Sequence, residues 1–302
     1  MKKNIDLHSL PGFEKKCILL TGATDGIGLE TARQLAKTPC KLILHGRNPE
    51  KMAQVLQKLK GAHPHARISS ILADFESFDQ VRQMAAQIRE EYPDFNVLIN
   101  NAGMMAKKRK LCEEGFDSTI TVNYLSPFIL TVSLLPLLLS QPESQITSLT
   151  SIGHRFFYAR SSDLFGDKAR KPIALYCKSK LLVIAFIRQL GSLLKETAVG
   201  VNCVHPGVIL GTKISGAGIF KPFGSTRAEG AQTILNAAFN PALSGQKGIY
   251  LERLTPSTPS KYALDPAITQ EIWKESFCRC GIEQNSIEAY ISAFATRECD
   301  YH

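Results

Sequence analysis

Thr21-Gly22-Ala23-Thr24-Asp25-Gly26-Ile27-Gly28 follows an apolar run directly and opens a segment with helical spacing. In such a turn Gly22 permits the tight bend, Gly26 lets the backbone approach a phosphate, and Gly28 lets the helix pack close to the strand. The unpaired N–H groups and the dipole of a helix N-terminus attract a pyrophosphate. The stretch therefore predicts a strand, a turn and a helix that together bind a dinucleotide.

Outward from this turn, apolar runs of strand length alternate with helical segments as far as about residue 251. The predicted strands are Lys16–Thr21, Lys41–Leu44, Ile68–Leu72, Val97–Asn100, Gln145–Thr150, Val199–His205 and Gly248–Leu251. The predicted helices between them are Gly28–Lys37, Pro49–Lys60, Phe78–Tyr92, Gly115–Leu138, Tyr176–Lys195 and Arg227–Asn240. Right-handed crossovers then give an α/β fold, a Rossmann-type doubly wound parallel sheet of about seven strands with helices on both faces. Its ligand crevice is expected at the carboxyl ends of the strands.

We expect one domain over residues 1–302, with a core at about 14–252 and a substrate-loop region at about 207–226. The Pro-, Ser- and Thr-rich stretch Arg253–Ser260 separates this core from a C-terminal helical extension at about 261–302. The extension contains two helical segments, Ala267–Phe277 and Ser286–Thr296.

Composition excludes several classes of protein. Apolar residues make up 44% and charged residues 21% of the chain, which is ordinary globular usage and not that of disordered, collagen-like or coiled-coil chains. The eight cysteines follow no disulfide or zinc spacing, so we expect free thiols, no metal and a reducing compartment.

No secretory leader or membrane span is expected. An acidic and polar stretch follows Met1-Lys2-Lys3 where an apolar region should be, and the most apolar stretch, Phe128–Leu139, is shorter than the roughly 20 residues that cross a bilayer. The expected location is the cytoplasm.

The end of the second predicted strand indicates which dinucleotide binds. A carboxylate at this place would accept hydrogen bonds from a free ribose 2′-hydroxyl and repel a 2′-phosphate. The chain has His45-Gly46-Arg47-Asn48, with glycine in place of the acid and then a guanidinium that can bind a phosphate through two nitrogens. This favours NADP(H) over NAD(H), although Arg47 could also be a solvated loop cation. Adenine is expected near Asp74 and Phe75, after the third strand.

A tyrosine and a lysine four positions apart form the candidate acid/base pair. In Tyr176-Cys177-Lys178-Ser179-Lys180, the two side chains share one face of a helix. A free phenol has a pKa near 10, and a nearby ammonium lowers the pKa by favouring the phenolate. By itself such a pair is common on helix surfaces, so its weight depends on what surrounds it.

The surrounding motifs resemble those of the short-chain dehydrogenases/reductases. Besides the Gly-x-x-x-Gly-x-Gly turn and the Tyr-x-x-x-Lys pair, the chain contains further motifs in the family's order and at its strand ends. These are Asn100-Asn101-Ala102-Gly103, Thr121-Val122-Asn123, Thr150-Ser151 and Pro206-Gly207-Val208. The resemblance covers residues 18 to about 212.

The resemblance implies a role for each matching residue. Tyr176 would exchange a proton with the substrate oxygen, and Lys180 would lower the pKa of that phenol and hold the nicotinamide ribose. Ser151 would stabilise charge on the carbonyl oxygen, and Asn123 would anchor a water between Lys180 and solvent. Asp25 counts against NADP(H), because many NADP-dependent members have a base at this position.

The cofactor would contact residues of every strand end on this side of the sheet, with Pro206 and Gly207 bending the chain around the nicotinamide. The implied set is Gly22, Thr24, Asp25, Gly26, Ile27, Gly28, Arg47, Asn48, Asp74, Phe75, Asn101, Ala102, Gly103, Tyr176, Lys180, Pro206, Gly207, Val208 and Thr212.

The long segment between Ser151 and Tyr176 resembles the retinol dehydrogenase and WW-domain oxidoreductase branch, as does Arg227-Ala228-Glu229-Gly230. An N-terminal anchor of the kind typical of retinol dehydrogenases is not expected. The family implies a homodimer or homotetramer, and the apolar side chains of the expected substrate loops suit an apolar carbonyl or alcohol substrate. Apolar candidates lie in the loops Met104–Lys110, Arg155–Lys171 and Ile209–Gly224: Met104, Met105, Phe156, Phe157, Tyr158, Ile219, Phe220 and Phe223.

The role of one basic run and the choice between functions stay open. The basic run Lys107-Lys108-Arg109-Lys110 is a solvated loop, an attractor for an anionic cofactor, or a weak contact to an acidic membrane surface. Nucleic acid is not expected, since the cations lack interleaved aromatic residues. NAD-linked catalysis and a nucleotide-sensing protein without turnover remain as other functions.

Overall fold

The computed structural model describes residues 5–156, 163–169, 171–207 and 224–299. In this part of the chain, eight strands form one sheet in the order β3-β2-β1-β4-β5-β6-β7-β8. The strands are β1 Cys17–Leu20, β2 Lys41–Gly46, β3 Arg67–Leu72, β4 Val97–Asn100, β5 Ser144–Leu149, β6 Val199–His205, β7 Lys247–Glu252 and β8 Thr255–Pro256. The first seven are parallel, which confirms the doubly wound α/β fold.

The order reverses between β1 and β4, because β2 and β3 lie on one side of β1 while β4 to β7 lie on the other. The loops that leave the carboxyl ends of β1 and β4 therefore diverge and open a crevice. The glycine turn after β1 and the Asn100-Asn101-Ala102-Gly103 stretch after β4 border this crevice.

Helices cover both faces of the sheet. They are α1 Gly26–Leu35, α2 Pro49–Ala62, α3 Phe78–Glu91, α4 Ser118–Ile120, α5 Ser126–Leu139, α6 Pro172–Leu193, α7 Arg227–Phe239, α8 Lys261–Leu264, α9 Pro266–Cys280 and α10 Ser286–Cys299. One apolar core forms beneath α1, α2 and α7, and the other beneath α3, α5, α6 and α9. The sequence predicted each major helix to within a few residues.

Two boundaries differ from the prediction in ways that matter for the site. Tyr176 was expected to open its helix, but α6 begins at Pro172, where the fixed φ and the missing N–H of proline suit the first helical position. Tyr176 consequently lies in the second turn. The stretch Arg253–Ser260, expected only as a boundary, contributes β8, which pairs antiparallel with β7.

The helical run before β5 is longer than its apolar stretch. A π-helical turn, Thr121–Leu125, joins α4 to α5, and the whole run Ser118–Leu139 has 22 residues. By length and composition it could cross a membrane, but 83% of its most apolar window is buried inside the protein. It packs as a central core helix.

The C-terminal extension completes the second core. Trp273 and Phe277 of α9 are buried, and their rings contact Phe186 at 5.9 Å and Phe128 at 5.0 Å between centroids. Asp265 caps the start of α9 by accepting hydrogen bonds from two backbone N–H groups. The extension is therefore an integral layer over α5 and α6.

Candidate active site

The glycine turn packs against the end of β4 with no room for side chains. Gly22 has φ +67°, and a Cβ there would lie 2.8 Å from the Cα of Ala102. A Cβ on Gly28 would lie 2.2 Å from the carbonyl oxygen of Gly22. Asp25 caps α1 by accepting a hydrogen bond of 2.8 Å from the N–H of Gly26. The start of α1, where the first N–H groups have no partner within the helix, directly follows the glycine turn, as a pyrophosphate site requires.

Asn101 ties the turn to β4. Its amide nitrogen donates to the carbonyl oxygens of Thr21 at 2.7 Å and Gly22 at 3.1 Å. The hydroxyl of Thr21 accepts from the N–H groups of Asn101 and Ala102, at 2.9 and 3.0 Å. The side-chain oxygen of Asn101 is buried and has no hydrogen-bond partner within the described residues. A bound dinucleotide fits this cradle, which combines a helix N-terminus, glycines without space for side chains and an unsatisfied acceptor.

His45 is a supporting residue to which the sequence analysis assigned no role. Its Nδ1 accepts from the N–H of Gly22 at 3.3 Å, and its Nε2 lies 3.0 Å from the carbonyl oxygen of Ala73. Burial lowers the pKa of His45 to about 4, so the ring is neutral with its proton on Nε2. The ring stacks on Phe75 at 4.3 Å. A histidine inside an otherwise apolar strand was the signal that could have identified it.

The residues expected at the adenosine end divide into two groups. Arg47 is exposed, and its Nη1 lies 3.4 Å from Asp74 Oδ2 and 3.3 Å from Glu76 Oε1. Asn48 caps α2 by accepting from the N–H of Lys51 at 2.7 Å, and Phe75 is buried beneath His45. Arg47 and Asp74 therefore border the crevice, whereas Asn48 and Phe75 stabilise the elements on either side of it.

Tyr176, Ser151 and Lys180 converge at the carboxyl end of β5. A Cβ on Gly153 would lie 3.5 Å from Ser151 Oγ and 3.6 Å from Tyr176 Cε1, so these two side chains are neighbours. Lys180 is 4% exposed, its Nζ donates to the carbonyl oxygen of Leu149 at 3.1 Å, and this nitrogen lies 5.7 Å from the centroid of the Tyr176 ring. A Cβ on Gly103 would lie 3.4 Å from the same nitrogen. The stretch after β4 thus reaches the candidate acid/base pair.

Asn123 lies in the π-helical turn and links three elements. Its Oδ1 accepts from the N–H of Met104 at 2.7 Å. Its Nδ2 donates to the carbonyl oxygen of Met104 at 2.9 Å and to the hydroxyl of Ser179 at 3.0 Å. A π turn inserts one residue into a helix and re-aims the side chains there, which makes this position unusual in a buried helix. Asn123 therefore fixes the loop after β4 beside α6.

The electrostatics of the pair differ from the sequence-based expectation. Lys180 was expected to lower the pKa of Tyr176, but burial raises the pKa of this phenol, and the neighbouring hydroxyl of Ser151 offsets this rise only in part. Burial also lowers the pKa of Lys180 to about 8. Both groups therefore favour their neutral forms more than they would in water, because each charge is poorly solvated at this place.

His154 supports Ser151 from behind and was also missed as a functional residue. Its Nδ1 donates to the carbonyl oxygen of Ser151 at 2.7 Å, since a carbonyl can only accept. Burial lowers the pKa of His154, so the ring stays neutral. The sequence showed it only as part of the long segment after β5.

The remaining predicted residues lie partly outside the described chain. Pro206 and Gly207 follow β6 and are buried, and Gly207 has φ +97°. Val208 and Thr212 lie outside the described residues, as do the substrate-loop candidates Phe157, Tyr158, Ile219, Phe220 and Phe223. Met104 and Met105 are partly buried near Asn123, and Phe156 is 68% exposed.

The described ranges contain no candidate metal site and no disulfide. No group of three or more His, Cys, Asp or Glu side chains there is placed to hold a metal ion. Cys17, Cys40, Cys112, Cys177, Cys203, Cys278 and Cys280 are free thiols.

Comparison with known proteins agrees with this arrangement. The family model of the short chain dehydrogenases matches residues 16–218. Human retinol dehydrogenase 13 is 31% identical over 293 residues, which cover 92% of this chain and 88% of that protein. Human polyprenol dehydrogenase is also 31% identical, over 90% of this chain and 87% of its own length. Bovine retinol dehydrogenase 12 is 30% identical over 88% of this chain and 87% of its own length.

Solved structures share the fold. An uncharacterized protein from Mycobacterium paratuberculosis superposes with a TM-score of 0.74 at 24% identity, covering 93% of this chain and 99% of that one. A short chain dehydrogenase from Burkholderia cenocepacia, solved in complex with NADP, has a TM-score of 0.64 at 21% identity, with coverages of 80% and 96%.

Proposed function

The chain belongs to the short-chain dehydrogenase family, and we propose on this basis that it uses NADP(H) to interconvert an apolar alcohol and its carbonyl compound. Membership of this family, with retinol and polyprenol dehydrogenases as relatives, makes the chain an oxidoreductase enzyme. The proposal concerns the choice of cofactor, the substrate class and the role of Tyr176. Cytoplasmic location and a homodimer or homotetramer stay predictions.

The arrangement of Tyr176, Ser151 and Lys180 carries the proposal. The bound nicotinamide would supply or accept the hydride. In the reducing direction Tyr176 gives its hydroxyl proton to the substrate oxygen, while Ser151 donates a hydrogen bond that stabilises charge developing on the same oxygen. The phenolate that results is stabilised by the ammonium of Lys180, which lies beside its ring. Oxidation of an alcohol reverses each step.

The end of β2 supports NADP(H). An acid at position 46 would select NAD(H), but a Cβ there would lie 2.8 Å from the methyl group of Thr24. Glycine at position 46 avoids this close contact, and the chain lacks at this place the carboxylate that would repel a 2′-phosphate. Arg47, the next residue, is 57% exposed at the mouth of the crevice and can donate to the phosphate through its guanidinium.

The substrate class rests on the relatives and on the apolar side chains near the pair. Retinol and polyprenol, which name the relatives, are both apolar alcohols with long hydrocarbon chains. Met104 is held at the site by Asn123, and two exposed apolar side chains, Phe156 and Ile173, lie on segments that carry Ser151 and Tyr176. Such side chains suit an apolar substrate with one polar end.

The variant Tyr176→Phe tests the acid/base role. We expect turnover to fall at least about a hundredfold, because general acid catalysis contributes 10²–10⁴. The dissociation constant of NADPH, measured by calorimetry, should change less than about threefold, since one hydroxyl is removed and the ring remains. The matched control is Tyr92→Phe, which removes a tyrosine hydroxyl away from the site that donates to the hydroxyl of Ser69 at 2.9 Å. Equal losses of turnover and NADPH affinity in Tyr176→Phe would contradict the assigned role.

The substrate and the existence of turnover are tested with retinals, steroids, quinones and aliphatic aldehydes, each with NADPH and NADH. Turnover of apolar aldehydes in preference to small polar carbonyl compounds supports the proposal. Tight NADPH binding with no oxidation across the whole panel would instead favour a nucleotide-sensing protein.

The variant Arg47→Ala tests the cofactor choice. We expect its ratio of NADP⁺ to NAD⁺ affinity to fall about tenfold or more, because a charge-assisted hydrogen bond to the phosphate is lost. Arg33→Ala removes the same charge from an ion-paired arginine of α1 and should leave the ratio unchanged. An unchanged ratio in Arg47→Ala would refute the choice of NADP(H).

A further inference from the structure

Four charged side chains meet where β2, β3 and the loop after β4 come together. Arg47 follows β2, Asp74 and Glu76 follow β3, and Lys110 belongs to the loop after β4. The Nη1 of Arg47 lies 3.3 Å from Glu76 Oε1 and 3.4 Å from Asp74 Oδ2. The ammonium of Lys110 contacts the other carboxylate oxygen, Glu76 Oε2. One carboxylate thus holds two cations side by side.

We propose that Glu76 is a specificity-determining residue for the coenzyme, because it competes with the 2′-phosphate of NADP(H) for Arg47 and Lys110. This inference rests on the proposed use of NADP(H). It adds that Glu76 controls how strongly the protein prefers NADP(H) to NAD(H).

The charges of the cluster explain the competition. Arg47 and Lys110 contribute two positive charges, and Asp74 and Glu76 contribute two negative charges, so the cluster is neutral as a whole. A phosphate monoester brings a charge of about −1.5 to −2 at pH 7. To bind, it must take Arg47 from carboxylates that already contact this side chain, and it must approach those carboxylates. Glu76 therefore lowers the affinity for the phosphate, whereas it does not repel a ribose that has only an uncharged hydroxyl.

Burial makes Glu76 the effective competitor. The side chain of Glu76 is 16% exposed, whereas those of Arg47 and Lys110 are 57% and 64% exposed. The carboxylate is consequently held in place while the two cations can turn toward a ligand. Asp74 has an additional structural role, because its Oδ1 accepts from the backbone N–H of Glu76 at 3.0 Å and stabilises the turn after β3. A change at Glu76 tests charge with less disturbance of the backbone.

The arrangement also assigns a position to the basic run. Lys110 reaches Glu76, while Arg109 donates to the carbonyl oxygen of Asp167 at 2.9 Å. Asp167 in turn forms an ion pair with Arg279 of α9 at 2.7 Å. Two adjacent residues therefore tie the loop after β4, Lys110 to Glu76 and Arg109, by way of Asp167, to the C-terminal extension. This keeps Lys110 close to Arg47.

The experiment compares Glu76→Gln with Asp79→Asn. Both variants remove one negative charge, and Asp79 lies three residues away on α3 and is paired with Arg82. Dissociation constants for NADP⁺ and NAD⁺ are measured by titration calorimetry with the full chain, so that no turnover is needed. We expect the ratio of NADP⁺ to NAD⁺ affinity to rise about threefold to tenfold in Glu76→Gln, as removal of one partly screened like charge permits. Asp79→Asn should leave the ratio within about twofold of wild type.

Two results would overturn the inference. If Glu76→Gln leaves the ratio unchanged or lowers it, then Glu76 does not compete with the phosphate. The second result concerns the double variant Arg47→Ala/Glu76→Gln, which is compared with Arg47→Ala alone. If Glu76→Gln raises the ratio of NADP⁺ to NAD⁺ affinity as much in this background as it does in wild type, then the effect does not act through Arg47. A reduced gain in the double variant supports the proposal.

Failure of the inference and failure of the proposed function are distinguishable. An Arg47→Ala variant with an unchanged ratio refutes the use of NADP(H) itself. An Arg47→Ala variant with a lowered ratio, together with no rise in Glu76→Gln, refutes only the role of Glu76.

Discussion

Replacing Lys180 with methionine should make the protein more stable at neutral pH while it abolishes turnover. Lys180 is almost completely buried, and the burial lowers its pKa from 10.5 to about 8. The unfolded chain therefore holds this proton up to about pH 10.5, whereas the folded chain releases it near pH 8. Between these values the folded state binds fewer protons, so stability rises with pH across this window and the cost of the buried charge is fully present below it.

The pKa shift gives the size of the effect. A shift from 10.5 to about 8 corresponds to about 3 kcal/mol of lost stability at pH 7, at 1.36 kcal/mol for each pKa unit. Methionine removes this cost but also removes the hydrogen bond to the carbonyl oxygen of Leu149, which contributes about 1 kcal/mol. Lys180→Met should consequently be about 2 kcal/mol more stable than wild type at pH 7. Near pH 10 the difference should shrink to about zero.

The assay is urea unfolding of both proteins at pH 7 and at pH 10, with the free energy of unfolding taken by linear extrapolation. The matched control is Lys178→Met, because Lys178 is also buried on α6 but is paired with Asp163 at 3.3 Å. This control should lose stability, since it leaves a carboxylate without its partner. A Lys180→Met variant that is less stable than wild type at pH 7, or whose difference from wild type is independent of pH, would refute the reasoning.

Three further outcomes are expected. Gly28→Ala should weaken dinucleotide binding, measured by calorimetry, at least about tenfold, because the new Cβ would lie 2.2 Å from the carbonyl oxygen of Gly22. The control Gly61→Ala, whose new Cβ would have no atom within 4 Å, should bind the dinucleotide as wild type does. Equal affinities of the two variants would contradict this prediction. Asn123→Ala should lower the free energy of unfolding by about 2–3 kcal/mol in urea, since several buried hydrogen bonds are lost, and an unchanged value would count against its structural role. His154→Phe should lower kcat about tenfold with little change in KM, because it removes the hydrogen bond from His154 Nδ1 to the carbonyl oxygen of Ser151. A change in KM alone would contradict this positioning role.

Local sequence was sufficient for the parts of the site that depend on neighbouring residues. The glycine turn was predicted because positive φ and close backbone contact both require glycine, and the structure has Gly22 and Gly26 at φ +67° and +59°. The pairing of Tyr176 with Lys180 was predicted because residues four apart share a helix face. The alternation of apolar strands with helices predicted the parallel sheet, because strands that are covered by helices on both faces are apolar along their length.

Other features depended on residues far apart in the chain. Arg47 contacts Glu76, and Glu76 contacts Lys110, across three separate strand ends, so no spacing in the sequence indicates that they meet. His45 was passed over because its two partners come from the glycine turn and the end of β3. The raised pKa of Tyr176 results from burial, which the sequence does not show.

The sequence by itself determined the order of elements, the glycine turn and the placement of Tyr176 and Lys180 on one helix face, because these follow from local backbone geometry and helical periodicity. Only the tertiary structure decided which cations and carboxylates pair beyond the ends of β2 and β3, and how burial shifts the pKa values of Tyr176 and Lys180. Charge interactions and desolvation depend on distance through space and on what excludes water, and the folded chain sets both.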